Sequence, residues 1–233
     1  MKDLFGKAIL DFQTNNNPEN IITETSISDE DAMEVSYLFR NYDEMPQLEK
    51  TALNLCKGTI LDVGCGAGSH SLYLQNEKNL VVKAIDISET AVRACELRGV
   101  KNVEAVDVLE LSDVKYDTIL LLMNGTGIFG TLSEISKYLI KLKSLLAPNG
   151  QILIDSSDLI YMFDDAEGGG KWIPDNGYYG ELTFTITYKN ETEDSFPWLY
   201  LDYNTLQNAA YANGLQCELI EEGENYDYLA RLF

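Results

Sequence analysis

The octapeptide LDVGCGAG at residues 61–68 constrains the fold of this chain more than any other stretch of its 233 residues. It follows a short aliphatic and β-branched run, TILDV at 59–63, and precedes Ser69 to Asn76, where apolar residues recur at helical spacing. Glycines at 64, 66 and 68 let the backbone turn sharply and let a ligand approach without interference from a Cβ. The helix that follows offers unpaired amides and the positive end of its dipole. Spacing narrows the ligand: a dinucleotide fingerprint, G-x-G-x-x-G, needs glycine at 69, where this chain has Ser69, and the pattern here is G-x-G-x-G. A tight strand-to-helix turn without a ligand is the alternative reading.

The same alternation continues. VVKAID (81–86), VEAVD (103–107), TILLLM (118–123) and QILID (151–155) are short runs bounded by Gly, Asn, Asp or Lys. Between them, Ser88 to Arg98 and Leu132 to Leu146 have helical periodicity, stopped by Gly99 and by Pro148-Asn149-Gly150. Strands alternating with helices predict a parallel sheet covered on both faces. After Asp155 the pattern changes to GGG (168–170), a Tyr-rich stretch and two antiparallel strands, ELTFTITYK (181–189) and FPWLYLD (196–202), which together read as an insertion. A helix from about Tyr203 to Ala212 and two further strands, LQCELIE (215–221) and YDYLARLF (226–233), complete the sheet edge. The first 56 residues read as mostly helical, with a polar connection at NNNPEN (15–20).

Charge excludes several functions. Asp and Glu number 38 against 17 Lys and Arg, a formal net charge of −21, so phosphate backbones and anionic membrane surfaces would repel the chain. Neither a nucleic acid nor a membrane is therefore expected as a partner. The longest uninterrupted aliphatic run, Ile119 to Met123, is far shorter than a spanning helix of about 20 residues. The amino end meets Asp3 and Asp11 too early to form a signal core, which predicts a cytoplasmic protein. Cys56, Cys65, Cys95 and Cys217 lack metal-ligand spacing and fit reduced thiols, so no metal site is expected.

Two acids extend the reading of the glycine loop. Asp86 ends the second strand, where ligands of open α/β sheets bind, and a carboxylate there can accept from both hydroxyls of a ribose. Asp107 ends the third strand, placed to accept from an exocyclic amine while Val108 and Leu109 cover an adenine face. Each also has a plainer reading: a helix N-terminal acid beside Ser88, and a solvated strand-end acid. Together, the three strand ends describe a pocket for an adenine nucleoside.

On these residues the chain resembles the class I S-adenosylmethionine-dependent methyltransferases over about residues 57–155. LDVGCGAG is similar to the family's first motif, Asp86 and Asp107 to its ribose and adenine positions, YDTILLLMNGTG (116–127) to its fourth-strand motif, and LAPNGQILID (146–155) to its fifth-strand region. The resemblance implies S-adenosylmethionine as cofactor, with Asp62, Gly64, Cys65 and Gly66 along its methionine part. It further implies Asp86 and Ile87 at the ribose, Asp107 and Val108 at the adenine, and Asn124 below the sulfonium. The segment after strand four reads NGTG rather than the Asn/Asp-Pro-Pro-aromatic sequence of enzymes that methylate nucleic-acid amines, which sets that subclass aside. The expected architecture is one α/β domain, a Rossmann-like, doubly wound, seven-stranded and mainly parallel sheet with an antiparallel edge strand. An N-terminal helical cap (1–56), a cofactor-binding core (57–158), an inserted β-hairpin lid (159–202) and a C-terminal completion of the sheet (203–233) make up the chain.

The expected activity is methyl transfer to a small-molecule acceptor by in-line displacement. A nicotinamide-dependent oxidoreductase, a protein methyltransferase and a cofactor-binding module without an acceptor site are the alternatives. Displacement at a sulfonium needs alignment more than catalytic groups, and a base only where the acceptor must lose a proton. His70, the one histidine, is a base candidate or a packed, capping residue; Asp155 and Asp158 are base candidates or part of a capping turn, Asp-Ser-Ser-Asp. Tyr178 and Tyr179 are the candidate acceptor contacts in the lid, with Gly168 to Gly170 as its hinge. Arg40 pairs either with the methionine carboxylate or, at the surface, with Asp43 or Glu44.

Overall fold

The structure, a computed structural model, describes residues 2–112, 114–163 and 177–233. The proposed hinge glycines and Trp172 lie outside the described residues.

The chain opens with α1 (Leu4–Thr14), capped by Asp3, whose side chain accepts from the Gly6 amide, and closed by Asn15 in the left-handed region. A hairpin follows, β1 (Ile21–Thr25) and β2 (Ser28–Met33), its turn fixed by the Thr25 hydroxyl accepting from the amides of Ile27 and Ser28. Here the expectation of a mostly helical cap is corrected. IITET is rich in β-branched residues and pairs locally with β2, but its other partner, residues 184–188, lies more than 150 residues away in sequence, so nothing local announces that pairing. Short 3-10 turns at Val35–Phe39 and Tyr42–Glu44 then lead to α2 (Gln47–Leu55), with Pro46 at its N-cap.

The alternating core comprises β3 (Thr59–Val63), α3 (Ser69–Asn76), β4 (Val81–Asp86), α4 (Glu89–Arg98), β5 (Val103–Ala105), β6 (Tyr116–Leu121), α5 (Ile135–Ser144) and β7 (Leu146–Ser157). Pro148-Asn149-Gly150 does not end a helix. It lies inside β7, with Asn149 at a φ of 61° near an irregularity in the pairing with β6. The insertion supplies β8 (Glu181–Tyr188), β9 (Glu191–Thr192) and β10 (Phe196–Leu199); α6 (Tyr203–Ala212), β11 (Cys217–Glu222) and β12 (Asp227–Leu232) finish the chain.

Seven strands form the main sheet in the order β11-β12-β7-β6-β3-β4-β5. β5, β4, β3, β6 and β7 run parallel, while β12 runs against its neighbours and lies one place in from the edge, with β11 outside it. Strand order reverses beside β3, between β4 and β6, so the loops after β3 and β6 part there and leave a crevice. Successive residues of the central strands feed opposite faces. Leu61, Ile119 and Ile152 pack with Leu139 and Leu142 of α5 and Leu206 of α6, whereas Ile60, Leu120 and Leu153 pack with Leu48 and Leu53 of α2 and Leu74 of α3.

The hairpin of the insertion does not stand alone. β10, β8, β1 and β2 form a second sheet in that order, with β9 paired to β8, so the amino-terminal segment and the insertion build one structure. α1 joins it to the core. Leu4 and Ala8 pack with Ile21, Ile186 and Tyr188 of the second sheet, and Ile9 packs with Ala67, Ala91 and Ala94 of the cofactor-side core. Asp11, 7% exposed, accepts from the Tyr188 hydroxyl at 3.1 Å and from Lys189 Nζ at 2.7 Å, fastening α1 to β8. Among the described residues no helix is long and apolar enough to cross a membrane.

Candidate functional site

The loop between β3 and α3 is held at its start, where the amides of Gly64 and Cys65 both donate to the Ile85 carbonyl at 2.9 and 3.0 Å. Gly64 and Gly66 have φ of 72° and 52°, a region L side chains rarely adopt, and a Cβ built at either would meet nothing within 4 Å. Their backbone therefore borders open space. Gly68 serves packing instead, since a Cβ there would lie 2.9 Å from Cys95 Sγ and Val100.

Asp86 stands beside this opening. Its Oδ2 accepts from the Gly66 amide and its Oδ1 from the Ser88 amide, both at 2.9 Å, so the strand end and the glycine loop are one unit. Burial raises its affinity for a proton, and the two amide bonds oppose that. Each oxygen retains a further lone pair for a hydroxyl donor. Ile87, 71% exposed, is the adjacent apolar surface. Asp107 accepts from the Leu109 amide at 2.8 Å, capping a turn that starts with the buried Val108.

Other expected residues stand behind the opening. Asp62 is 2% exposed, and its Oδ2 accepts from the Ser71 hydroxyl at 2.6 Å, tying β3 to α3. Cys65 is buried with its sulfur 3.9 Å from that of Cys95, and Cys95 Sγ donates to the Gly66 carbonyl at 3.2 Å. Asn124 and Met123 follow β6 in left-handed conformations. The Asn124 side chain turns toward β10 and β7, donating from Nδ2 to the Leu199 carbonyl at 3.3 Å and accepting on Oδ1 from Ser156 at 2.9 Å.

Asp155 lies two residues before the end of β7 and grips the same loop, accepting from the amides of Gly125 at 2.8 Å and Met123 at 3.0 Å. Burial outweighs those bonds and pushes its pKa up to about 7. His70 has a different place. Its Nε2 lies 2.7 Å from Glu49 Oε2, and Glu49 Oε1 accepts from Arg40 Nη2 at 2.5 Å, a chain of ionic groups buried between α2 and α3. Burial lowers the His70 pKa, but the Glu49 carboxylate overcomes this and raises it, favouring the protonated ring in this contact. Arg40 is thereby corrected too: it pairs with buried Glu49, not with Asp43 or Glu44, and stacks 3.5 Å over the Tyr37 ring. Glu49 has a signal in the sequence, an acid on the apolar face of α2 beside Leu48, Ala52 and Leu53.

Tyr178 and Tyr179 have ring centroids 4.7 Å apart, tilted at 40°, with both hydroxyls engaged. Tyr178 donates to Asp202 and Tyr179 to Asp158, each at 2.7 Å. Burial, followed by these acids, raises both phenols. Asp158, also bonded to the Ile160 amide at 2.9 Å, is thus a positioning group for Tyr179.

Two cavities differ in chemistry. One of about 540 Å³ lies at the amino end of the sheet, against Thr59, Val81 and Tyr116, away from the glycine loop. The other, about 260 Å³, lies at the carboxyl end between Tyr37, Leu48, Glu49, Met123, Asp155 and Asp227. The open cradle at Gly64 and Gly66, with the Asp86 carboxylate bonded across it, fits a nucleoside carrying free ribose hydroxyls.

Comparison with known proteins agrees. A family model described as a methyltransferase domain matches residues 56–209. A crystal structure of an S-adenosylmethionine-dependent methyltransferase from Bacteroides fragilis in complex with S-adenosyl-L-homocysteine is 46% identical, with a TM-score of 0.92 over 100% of this chain and 94% of that one. CalS10 of Micromonospora echinaspora, an amino pentose methyltransferase bound to S-adenosylmethionine, shares the fold at 15% identity and a TM-score of 0.58, over 86% of this chain and 96% of its own. The PH0226 protein of Pyrococcus horikoshii does so at 20% identity and 0.60, over 79% and 87%. No curated protein matches the sequence. A matched family model, a close relative in complex with the demethylated cofactor and a glycine cradle of this geometry lead to one assignment: the chain belongs to the S-adenosylmethionine-dependent methyltransferases.

Proposed function

We propose that the enzyme methylates a small-molecule acceptor and holds its cofactor across the ends of β3, β4 and β5. Asp86 takes the ribose hydroxyls with Ile87 against the sugar, and Asp107 and Val108 take the adenine. The backbone at Gly64 and Gly66 runs along the methionine part. Asp62 and Cys65 support that backbone from behind through the Ser71 bond and the packing with Cys95, and Asn124 shapes the loop near the sulfonium. When bound, S-adenosylmethionine supplies an electrophilic methyl group on a positively charged sulfur. The protein's part is alignment and exclusion of water, worth roughly 7–11 kcal/mol where near-attack geometry is reached. A small acceptor is supported by the 260 Å³ cavity, near the lower end of ligand pockets of about 300–1,000 Å³.

The observation that carries this reading is the open space over Gly64 and Gly66 beside an Asp86 that still has lone pairs to offer. Calorimetry with S-adenosylhomocysteine tests it. Gly66→Val, which fills the cradle and strains a positive φ, and Asp86→Ala, which removes the ribose acceptor, are each expected to weaken binding by about tenfold or more. Unchanged affinity in both would reject the assigned pocket.

A further inference from the structure

We infer that the acceptor is a small amine, taken up as its ammonium cation in the cavity between Glu49, Asp155 and Asp227, and that Asp155 receives its proton. This rests on the methyltransferase reading and names the substrate class of the same site. The cavity lies at the carboxyl end of the sheet, on the β6–β7 side of the glycine loop. Asp155 lies near the end of β7, Met123 follows β6, and both strands sit on the far side of β3 from Asp86 and the proposed ribose site. Its wall carries three carboxyl groups and, among the described residues, no Lys, Arg or His, the Arg40 guanidinium lying just behind it over the Tyr37 ring and 3.9 Å from Met123 Sδ.

Their charges are not equally balanced. Glu49 already has two cations, Arg40 at 2.5 Å and His70 at 2.7 Å. Asp155 and Asp227 have none within ion-pair distance among the described residues. Asp155 accepts only neutral amides, from Met123 and Gly125, and Asp227 only the amide of Asn225 at 3.0 Å. A carboxylate set into a wall without a counter-charge favours a ligand that brings one. An anionic acceptor would be repelled, and a neutral alcohol would gain a hydrogen bond without relieving the charge. The Tyr37 ring and the Leu48 and Met123 side chains supply apolar surface for the carbon skeleton.

The same placement provides the chemistry. An ammonium nitrogen has no lone pair, so its N–H bond must break first, the proton passing to an Asp155 oxygen. The freed pair then forms the nitrogen–carbon bond as the carbon–sulfur bond breaks and its electrons return to sulfur, leaving a neutral thioether. Asp155 afterwards releases the proton to water. Burial, the largest influence, pushes this carboxyl toward its neutral form and Glu49 adds to that, while the Gly125 and Met123 amides and His70 favour its charged form, so it is poised both to hold and to release a proton.

The test is a binding measurement on protein saturated with S-adenosylhomocysteine, so that the cofactor reading is checked first. Ligand-observed magnetic resonance near pH 8 would compare matched pairs, cyclohexylamine with cyclohexanol and putrescine with butane-1,4-diol. The amine of each pair is expected to bind about tenfold more tightly. Asp155→Asn, kept saturated with S-adenosylhomocysteine at whatever concentration its own affinity requires, should bring amine and alcohol to within about threefold of each other. Because Asp155 also anchors the 123–125 loop, Asp227→Asn provides a second variant, expected to reduce the amine preference with the loop intact. Equal binding of amines and alcohols by the wild type overturns the inference, as does a preference that survives both substitutions. Loss of S-adenosylhomocysteine affinity in Asp227→Asn, whose loop is intact, also overturns it, by assigning the cavity to the cofactor. Failure of the wild type to bind S-adenosylhomocysteine removes the methyltransferase reading itself.

Discussion

At the scale of single residues, position decides which acid does what. Asp62, Asp86 and Asp155 all lie at strand ends, yet the first is bonded to a serine hydroxyl, the second to the glycine loop and the third to the loop after β6. Asp155 makes stability depend on pH in a predictable direction. Its folded pKa, about 7, is above the ordinary 3.8, so the fold prefers the neutral acid. The contribution is complete below 3.8 and is lost as pH rises through about 7, because the unfolded chain gives up this proton earlier. Asp155→Asn should therefore flatten the decline in melting temperature over that window, measured by calorimetry across the pH range; an unaltered slope would mean the carboxyl ionises normally in the fold. The strand-end acids and the glycine turn were legible because strand ends and glycine spacing are local properties. Glu49 was harder to read, since the acid on an apolar helix face has meaning only once Arg40 and His70 arrive beside it from other segments.

Among elements, the second sheet changes how the insertion is understood. The strands at 181–189 and 196–202 were readable from alternation, and they form, but β8 has β10 on one side and β1 on the other. A two-stranded ribbon alone would be marginal, whereas five strands packed on α1 are not. Ile21, fully buried in this sheet, pairs with Tyr188 of β8 and Met33 of β2. Ile21→Ala should cost about 2–5 kcal/mol locally. Hydrogen exchange is expected to speed up together in residues 21–25 and 181–188 while the β6 amides stay protected. Opening of β1 with β8 unaffected would show that the two segments are independent. The helical expectation for the first 56 residues failed here for a physical reason: a two-stranded hairpin is marginal by itself, and the strand that lets β1 bury Ile21, β8, is brought beside it only by folding.

For the whole molecule, the net charge of −21 is the property that matters most. Self-repulsion of that size opposes the compact state and is screened by salt, with a Debye length falling from about 30 Å at 0.01 M to about 8 Å at 0.15 M. Raising sodium chloride over that range should increase the melting temperature by about 2–4 °C, equivalent to about 1 kcal/mol. No change would mean the surface acids are already locally compensated. The sequence by itself determined the alternating α/β core, the glycine turn and the acids at the strand tips, because helical period, strand period and turn chemistry act between near neighbours. Only the tertiary structure decided that the amino-terminal hairpin joins the insertion, that Glu49 is paired with Arg40 and His70, and that Asp155 and Asp227 share a cavity whose described lining holds no Lys, Arg or His. Those facts depend on which distant segments meet and on how much water is excluded where they do.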